Sequence, residues 1–131
     1  MINYFSKYKF IFYLCNCILI ILYLFPGSLL GCYIYNDCKI QPQITANYIV
    51  STNHLYAYIV LSIIGFLTFR KKNQFKILSM YLIFLSIVLE VLQYFVPNRS
   101  FEFSDLFGNL AGVIIAIIIF FFFKKNENFK N

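Results

Sequence analysis

The sequence that decides the fold is residues 77–123, ILSMYLIFLSIVLEVLQYFVPNRSFEFSDLFGNLAGVIIAIIIFFFF, in which two apolar runs flank a short polar segment. The runs cover about 77–96 and 106–123, and each is long enough to cross the hydrocarbon core of a bilayer. Both are predicted to be helices, because lipid offers no partners for free backbone N–H and C=O groups. The polar residues between them therefore lie close to lipid, where they are costly and require an explanation.

Two further apolar runs, about 10–30 and 48–69, precede this hairpin. Hydrophobic residues make up 61% of the 131 positions, and a soluble domain of this size has too much surface to hide them. The sequence therefore predicts an all-α membrane protein. We expect a single domain over residues 1–131 that forms a four-transmembrane-helix bundle.

The basic residues predict the orientation of this bundle. Nine of the eleven Lys and Arg fall in three segments on one side of a four-span topology. They are Lys7, Lys9, Arg70, Lys71, Lys72, Lys76, Lys124, Lys125 and Lys130. The positive-inside rule then places both termini in the cytoplasm and turns the loops 31–47 and 96–104 outward. These anchors account for the net charge of +6, and short clusters of this kind do not form the basic face that a nucleic-acid partner requires.

A group of polar residues lies near the predicted outer surface. Glu90 and Gln93 are three residues apart, so they share one face of the helix over 77–96. Glu90 lies roughly 9 Å below Val96 at 1.5 Å per residue, and a carboxylate at that depth must be neutralised, paired or hydrated. Arg99 is long enough to reach it, and the planar guanidinium suits a bidentate carboxylate contact. We therefore predict an ion pair between Glu90 and Arg99.

The helix over 106–123 carries polar and small residues near its start. Asp105 is expected to cap the free N–H groups there, and Asn109 falls on the same face one turn deeper. Gly108, Gly112 and Ala116 recur every four residues, a stripe that lets a second helix approach closely. The helix over 77–96 is the expected partner, because only a short loop joins the two.

The order and spacing of these residues resemble the VanZ-like family of small integral membrane proteins. The family signature runs E-x-x-Q, a P-x-R loop, D, then N-x-x-G, which is similar to Glu90–Gln93, Pro97–Arg99, Asp105 and Asn109–Gly112 here. The resemblance is specific over residues 90–116.

A second segment resembles the same family. His54-Leu-Tyr-Ala-Tyr58 is similar to the family's H-F-x-x-Y, which places His54 and Tyr58 one turn apart on a shared face. The family has Asp-Lys just ahead of the histidine, where this chain has Val50 and Ser51.

The resemblance implies a protein of a bacterial cytoplasmic membrane, in a family whose founding member is associated with teicoplanin resistance. We expect an outer-leaflet polar pocket that binds membrane lipid, a lipid-linked cell-wall precursor or a glycopeptide. The candidate ligand-binding residues are His54, Tyr58, Glu90, Gln93, Arg99, Asp105 and Asn109.

Two other functions stay open at this point. A membrane enzyme acting on a lipid-linked substrate could use the same residues for acid–base chemistry, with catalytic roles that the sequence does not assign. A structural or accessory subunit would use them only to lock the helices together. We favour binding over catalysis, because the sequence has no phosphate-binding loop and no G-x-S-x-G elbow.

The cysteines give a smaller set of predictions. Cys15 and Cys17 lie within the first apolar run and are expected to be packing residues. Cys32 and Cys38 share an outer loop, where an oxidising compartment would allow a disulfide. Leu29-Leu30-Gly31-Cys32 also resembles a bacterial lipobox, which would mean cleavage and lipidation at Cys32. One histidine and no C-x-x-C predict no metal site, and nothing in the sequence predicts a cofactor.

Overall fold

The protein is described by a computed structural model that covers the backbone of residues 4–128 and the side chains of residues 8–126. Lys7 and Lys130, two of the predicted anchors, lie outside the residues whose side chains are described. The described chain contains five helices and no strand, which confirms the all-α prediction. The helices are α1 (Tyr4–Leu24), α2 (Leu29–Tyr35), α3 (Thr52–Thr68), α4 (Lys72–Gln93) and α5 (Phe103–Asn128).

The helices differ in their ability to cross a membrane. Helices α4 and α5 are long and apolar enough to span by themselves. Helices α1 and α2 meet the same criterion together, although they are bent by 82° at the break between them. Helix α3 is apolar and has only 17 residues. Length and composition therefore give two candidate spans, or three when the bent pair counts as one.

The prediction of one helix over residues 10–30 is wrong at its end. Helix α1 stops at Leu24, just before Pro26, which lacks the N–H that a helix interior requires. Gly27 then has a φ of 93°, a conformation that glycine adopts without strain. Ser28 begins α2 by accepting a hydrogen bond from the Gly31 N–H at 2.9 Å. The chain therefore turns sharply where a continuous span was expected.

The other predicted boundaries shift by a few residues. Helix α3 starts after Ser51 rather than at 48, α4 starts at Lys72 rather than 77, and α5 starts at Phe103 rather than 106. The apolar runs mark where lipid contacts the chain, whereas polar residues that flank a run can extend the same helix. Hydropathy therefore located the helices better than it located their ends.

Contacts between side chains give the order of the helices. Tyr23 near the end of α1 contacts His54 at the start of α3, so these two helices are antiparallel. The ring of Phe120 contacts that of Phe66, and Gly108 packs on the start of α3, so α5 runs parallel to α3. The long loops 36–51 and 94–102 therefore share one end, which we call the loop end. We call the opposite end, which carries Arg70 and Lys124, the basic end.

The stripe of small residues packs against α3 and not against α4, so the predicted partner is wrong. A Cβ added to Gly108 would lie 2.6 Å from the Ser51 carbonyl oxygen, and one added to Gly112 would lie 2.6 Å from the Leu55 carbonyl oxygen. Ala116 is fully buried on the same stripe. Helix α4 instead meets α5 through the longer side chain of Asn109, which needs more space between the axes.

Candidate functional site

The polar residues at the loop end form two groups, and the first satisfies the end of α1. A helix leaves its last carbonyl groups without partners, and α1 ends ahead of a proline. Gln93 Nε2 donates to the Tyr23 carbonyl oxygen at 3.1 Å. Arg99 donates from Nε to the Phe25 oxygen at 3.2 Å and from Nη2 to the Leu22 oxygen at 3.0 Å. A cation also suits the negative end of the helix dipole. We call Gln93 and Arg99 the capping pair.

The predicted ion pair between Glu90 and Arg99 is absent from the described residues. The Arg99 guanidinium donates instead to the carbonyl oxygens of Leu22 and Phe25 at the end of α1, and backbone carbonyl groups give no recognisable signal in the sequence. Burial lowers the pKa of the Arg99 guanidinium, and the nearby Asp105 carboxylate opposes that shift. Arginine nevertheless keeps its charge in proteins.

The second group is organised around Asn109, which has no exposed surface. Its Oδ1 accepts a hydrogen bond from the Tyr23 hydroxyl at 2.6 Å and lies 3.0 Å from His54 Nδ1. Its Nδ2 donates to the Ser86 carbonyl oxygen at 3.3 Å and lies 3.5 Å from Glu90 Oε2. This one amide therefore joins α1, α3, α4 and α5. We call the group the polar network: Tyr23, His54, Glu90, Asp105 and Asn109.

The orientation of Asn109 favours one tautomer of His54. Asn109 Nδ2 must point at the Ser86 oxygen, because a carbonyl group only accepts. Oδ1 then points at His54 Nδ1, and this contact is a hydrogen bond when Nδ1 carries the proton. The other imidazole nitrogen, Nε2, lies 3.6 Å from Asp105 Oδ2.

The two carboxylates of the network have few positive neighbours. Glu90 is fully buried, its Oε1 accepts from the Glu102 N–H at 3.2 Å, and its Oε2 lies 3.9 Å from His54 Nδ1. Asp105 was expected to cap the start of α5, yet among the described residues its carboxylate makes no such hydrogen bond and faces His54 instead. No described Lys or Arg nitrogen lies within 4.0 Å of either carboxylate.

These residues lie where the family signature falls in the sequence. The family model described as VanZ/LLP1 matches residues 10–124, most of the chain. The chain belongs to the VanZ/LLP1 family. This confirms the resemblance drawn from residues 90–116 and extends it to all five helices. No curated protein and no solved structure matches the chain significantly.

The structure brings six of the seven predicted ligand-binding residues into the polar network or the capping pair, and the sequence did not single out Tyr23. Tyr58 was expected to join His54, but its hydroxyl is buried and has no hydrogen-bond partner among the described residues. In place of Tyr58, Tyr23 contacts His54, since the Tyr23 hydroxyl lies 3.1 Å from His54 Nδ1. Nothing in the sequence distinguishes Tyr23 from the other tyrosines of the chain, which number eleven in all.

The polar network reaches the surface at its edge. The His54 side chain is 16% exposed and that of Asp105 is 19% exposed, whereas Glu90 beneath them is not exposed at all. His54, Glu90 and Asp105 also each offer one potential ligand atom, and these three atoms lie within 4.8 Å of one another. The site thus has a buried floor and a polar edge that contacts its surroundings.

A disulfide bond constrains the loop next to the site. Cys32 in α2 is bonded to Cys38, which is the disulfide that the sequence left open. A sulfur atom in a disulfide is not available for the thioether bond of a lipoprotein. Asn53, one residue before His54, also holds the loop, because its Nδ2 donates to the Pro42 carbonyl oxygen at 2.6 Å.

Proposed function

We propose that this protein crosses a bacterial cytoplasmic membrane four times, with both termini in the cytoplasm. The bent pair α1–α2 would form the first crossing and α3 the second. Helix α3 is roughly 26 Å long at 1.5 Å per residue, slightly shorter than the ~30 Å hydrocarbon core. Arg70 and Lys124 line the same groove at the basic end, which supports one cytoplasmic face for the basic segments.

Cysteine labelling tests this orientation. In a background with Cys15 and Cys17 replaced by serine, single cysteines are placed near Gln41, Asn98, Lys72 and Asn126. A reagent that cannot cross the membrane should modify the first two sites in intact cells and miss the other two. Labelling at Lys72 from outside would contradict the orientation.

We propose that the loop end binds the phosphate of an outer-leaflet headgroup, from a phospholipid or a lipid-linked cell-wall precursor. A guanidinium has five N–H donors, and the α1 carbonyl groups use only two of those of Arg99. Its remaining donors suit a phosphate. The observation that carries the proposal is the partly exposed edge formed by His54 and Asp105 above the buried network. Glu90, Gln93 and Asn109 would shape the floor without touching the ligand.

Lipid retention by the purified protein tests this binding. Native mass spectrometry from detergent would compare phosphatidylglycerol, phosphatidylethanolamine and undecaprenyl phosphate. Replacing His54 by alanine should reduce retention of the preferred lipid by about tenfold, the effect of losing ~1.4 kcal/mol of binding. Asn53→Ala is the matched control, because Asn53 is the neighbouring residue and its side chain is bound to the loop. Equal retention by all three proteins would contradict the proposal.

Altered sensitivity to teicoplanin is the cellular effect that we propose from family membership, either through a cell-wall precursor or through direct contact with the glycopeptide. Membership alone does not determine function. Expression of the wild-type protein should change the inhibitory concentration of teicoplanin, and expression of Arg99→Gln at the same level should change it less. The same inhibitory concentration with and without the protein would contradict this effect.

One observation favours a purely structural function as the second candidate. Every side-chain hydrogen bond of Asn109 and Gln93 connects one helix to another, as a purely structural role requires. Variants that lose stability without any change in ligand retention would support this function. Turnover of a lipid-linked substrate, lost in Glu90→Gln, would instead indicate an enzyme.

A further inference from the structure

The contact between His54 and Asp105 brings together a ring nitrogen and a carboxylate oxygen, both of which can act as hydrogen-bond acceptors. In the neutral tautomer in which His54 Nδ1 donates to Asn109 Oδ1, Nε2 carries a lone pair. Asp105 Oδ2 faces that lone pair at 3.6 Å. Two hydrogen-bond acceptors at this separation repel each other unless a positive charge lies between them. That charge is either a proton, on Nε2 or on the Asp105 carboxyl group, or a metal ion.

A third potential ligand atom lies beside this pair. Glu90 contributes a carboxylate oxygen, and the three atoms from His54, Glu90 and Asp105 all lie within 4.8 Å of one another. With metal–ligand bonds of 2.0–2.1 Å, tetrahedral ligand atoms are roughly 3.4 Å apart. The separation of Nε2 and Asp105 Oδ2 is close to that value, whereas Glu90 Oε2 lies 3.9 Å from the other ring nitrogen, Nδ1. Binding at Nε2 therefore requires the imidazole and the Glu90 carboxylate to move closer together.

The electrostatics of the site also favour a bound cation. Two carboxylates and one imidazole lie together, and no described Lys or Arg nitrogen is within 4.0 Å of the carboxylates. Burying Glu90 as an unpaired charge would be costly. A divalent cation would balance both carboxylates at once.

We propose that His54 Nε2, Asp105 and Glu90 bind a divalent transition-metal ion such as Zn²⁺. One imidazole nitrogen and two carboxylate oxygens are ligands that Zn²⁺ accepts, with a fourth position open. The surrounding contacts match what metal ligands require. Asn109 accepts the other ring N–H of His54 and so fixes the ring, and the Glu102 N–H holds Glu90 Oε1.

The metal would also connect this site to headgroup binding, a step that rests on the proposed function. A phosphate beside Glu90 and Asp105 would be repelled by their charges, although Arg99 attracts it. A bound divalent ion would reverse that repulsion and offer its open position to a phosphate oxygen. The sequence predicted no metal here, because the three ligands come from three helices and show no local spacing.

The single histidine of the chain gives a direct test. The protein is produced without a histidine tag and with ¹⁵N-labelled histidine, purified in detergent and treated with EDTA. Zn²⁺ is then added and the ring nitrogens are followed by NMR. One equivalent should shift the Nε2 resonance to that of a metal-bound nitrogen while Nδ1 stays protonated. An Nε2 that carries a proton and does not respond to Zn²⁺ would overturn the proposal.

Matched variants show which residues are ligands. Asp105→Asn and Glu90→Gln should each weaken Zn²⁺ binding at least tenfold, because each replaces an anionic ligand by a neutral amide. Glu102→Gln should leave binding unchanged, since only the backbone N–H of that residue enters the site. Equal weakening by Glu102→Gln would mean that general negative charge attracts the ion. If a ligand variant fails to fold, the wild-type titration still decides.

The metal and the headgroup are measured separately so that either proposal can fail alone. The Zn²⁺ titration contains no added lipid, and lipid retention is measured with and without EDTA. Stoichiometric Zn²⁺ binding without lipid retention would leave the metal site and contradict headgroup binding. Lipid retention that is insensitive to EDTA, with no Zn²⁺ binding, would support headgroup binding and contradict the metal site.

Discussion

Different kinds of contact hold the helices together at the two ends of the bundle. At the loop end, side-chain hydrogen bonds join four helices through Asn109. At the basic end, aromatic rings join the three helices α3, α4 and α5: the ring of Phe66 lies 4.6 Å from that of Phe75 and 5.5 Å from that of Phe120. The basic end also has a side-chain hydrogen bond between helices, from the Thr68 hydroxyl in α3 to the Tyr8 carbonyl oxygen in α1 at 3.4 Å. The two ends therefore differ in degree: polar side chains make most of the contacts between helices at the loop end, and aromatic rings make most of them at the basic end.

The two ends also differ in the surface that they present. At the basic end, α3 and α5 border a groove of about 420 Å³ that is lined mostly by apolar side chains, with Arg70 and Lys124 beside it. Such a groove suits an acyl chain and gives little selectivity between headgroups. The loop end has a polar floor and an exposed edge, which suit a headgroup.

The largest difference between the ends should appear on replacing Asn109 by alanine. Four groups would lose a partner, but the Tyr23 hydroxyl and His54 Nδ1 would keep each other, which leaves the Ser86 oxygen and Glu90 Oε2 most affected. An unsatisfied buried polar group costs ~1–3 kcal/mol. We expect a loss of about 3 kcal/mol in the free energy of unfolding, measured by reversible denaturation in detergent. Phe75→Leu at the basic end should cost less than ~1.5 kcal/mol, because it nearly conserves volume. A larger loss for Phe75→Leu would contradict the comparison.

The next largest effect concerns the close approach of α3 and α5. Gly112→Ala would bring a Cβ to 2.6 Å from the Leu55 carbonyl oxygen, so the helices must separate. We expect a loss of about 2 kcal/mol in unfolding free energy, within the range for overpacking. Val91→Ile, which adds one carbon on an exposed face of α4, is the control and should change stability by less than ~0.5 kcal/mol. Equal effects would mean that the helices do not meet at Gly112.

A smaller effect is expected for the coupling of Glu90 and Arg99. They belong to separate groups, the network and the capping pair, and they make no ion pair. The effects of Glu90→Gln and Arg99→Ala on unfolding free energy should therefore add within ~0.5 kcal/mol in a double-mutant cycle. Coupling above ~1 kcal/mol would mean that the two side chains pair directly and that the division into two groups is wrong.

The smallest effect is expected for Tyr58→Phe. The Tyr58 hydroxyl is buried without a partner, so its removal should leave the unfolding free energy unchanged or slightly higher. Tyr23→Phe removes a hydroxyl that bonds to Asn109 and should cost about 1 kcal/mol. Differential unfolding of the two variants in the same detergent measures the contrast, and a greater loss for Tyr58→Phe would contradict it.

The sequence predicted the helices well because lipid imposes a simple constraint on each apolar run. It predicted poorly how they meet. The stripe at Gly108 and Gly112 showed that some helix approaches closely, yet it could not distinguish α3 from α4, since small residues leave room without specifying the partner. The bend after Leu24 was also missed, although Pro26 and Gly27 were its visible cause.

The candidate site was predicted by residue type and not by contact. Glu90, His54, Asp105 and Asn109 do meet, as the cost of polar groups near lipid suggested. Arg99 was paired with the wrong group, because the backbone carbonyls that it satisfies have no side chain for the sequence to reveal. Tyr23 could not be recognised for the related reason that its role depends on the position of another helix.

The most direct test of the central claim uses the two arginines, one at each end of the bundle. The retention of the preferred lipid would be measured by native mass spectrometry for Arg99→Gln and Arg70→Gln, with folding checked by circular dichroism. If the loop end binds the headgroup, Arg99→Gln should weaken retention about tenfold and Arg70→Gln should leave it unchanged. Retention lost in Arg70→Gln and kept in Arg99→Gln would place the ligand at the basic end and contradict the account.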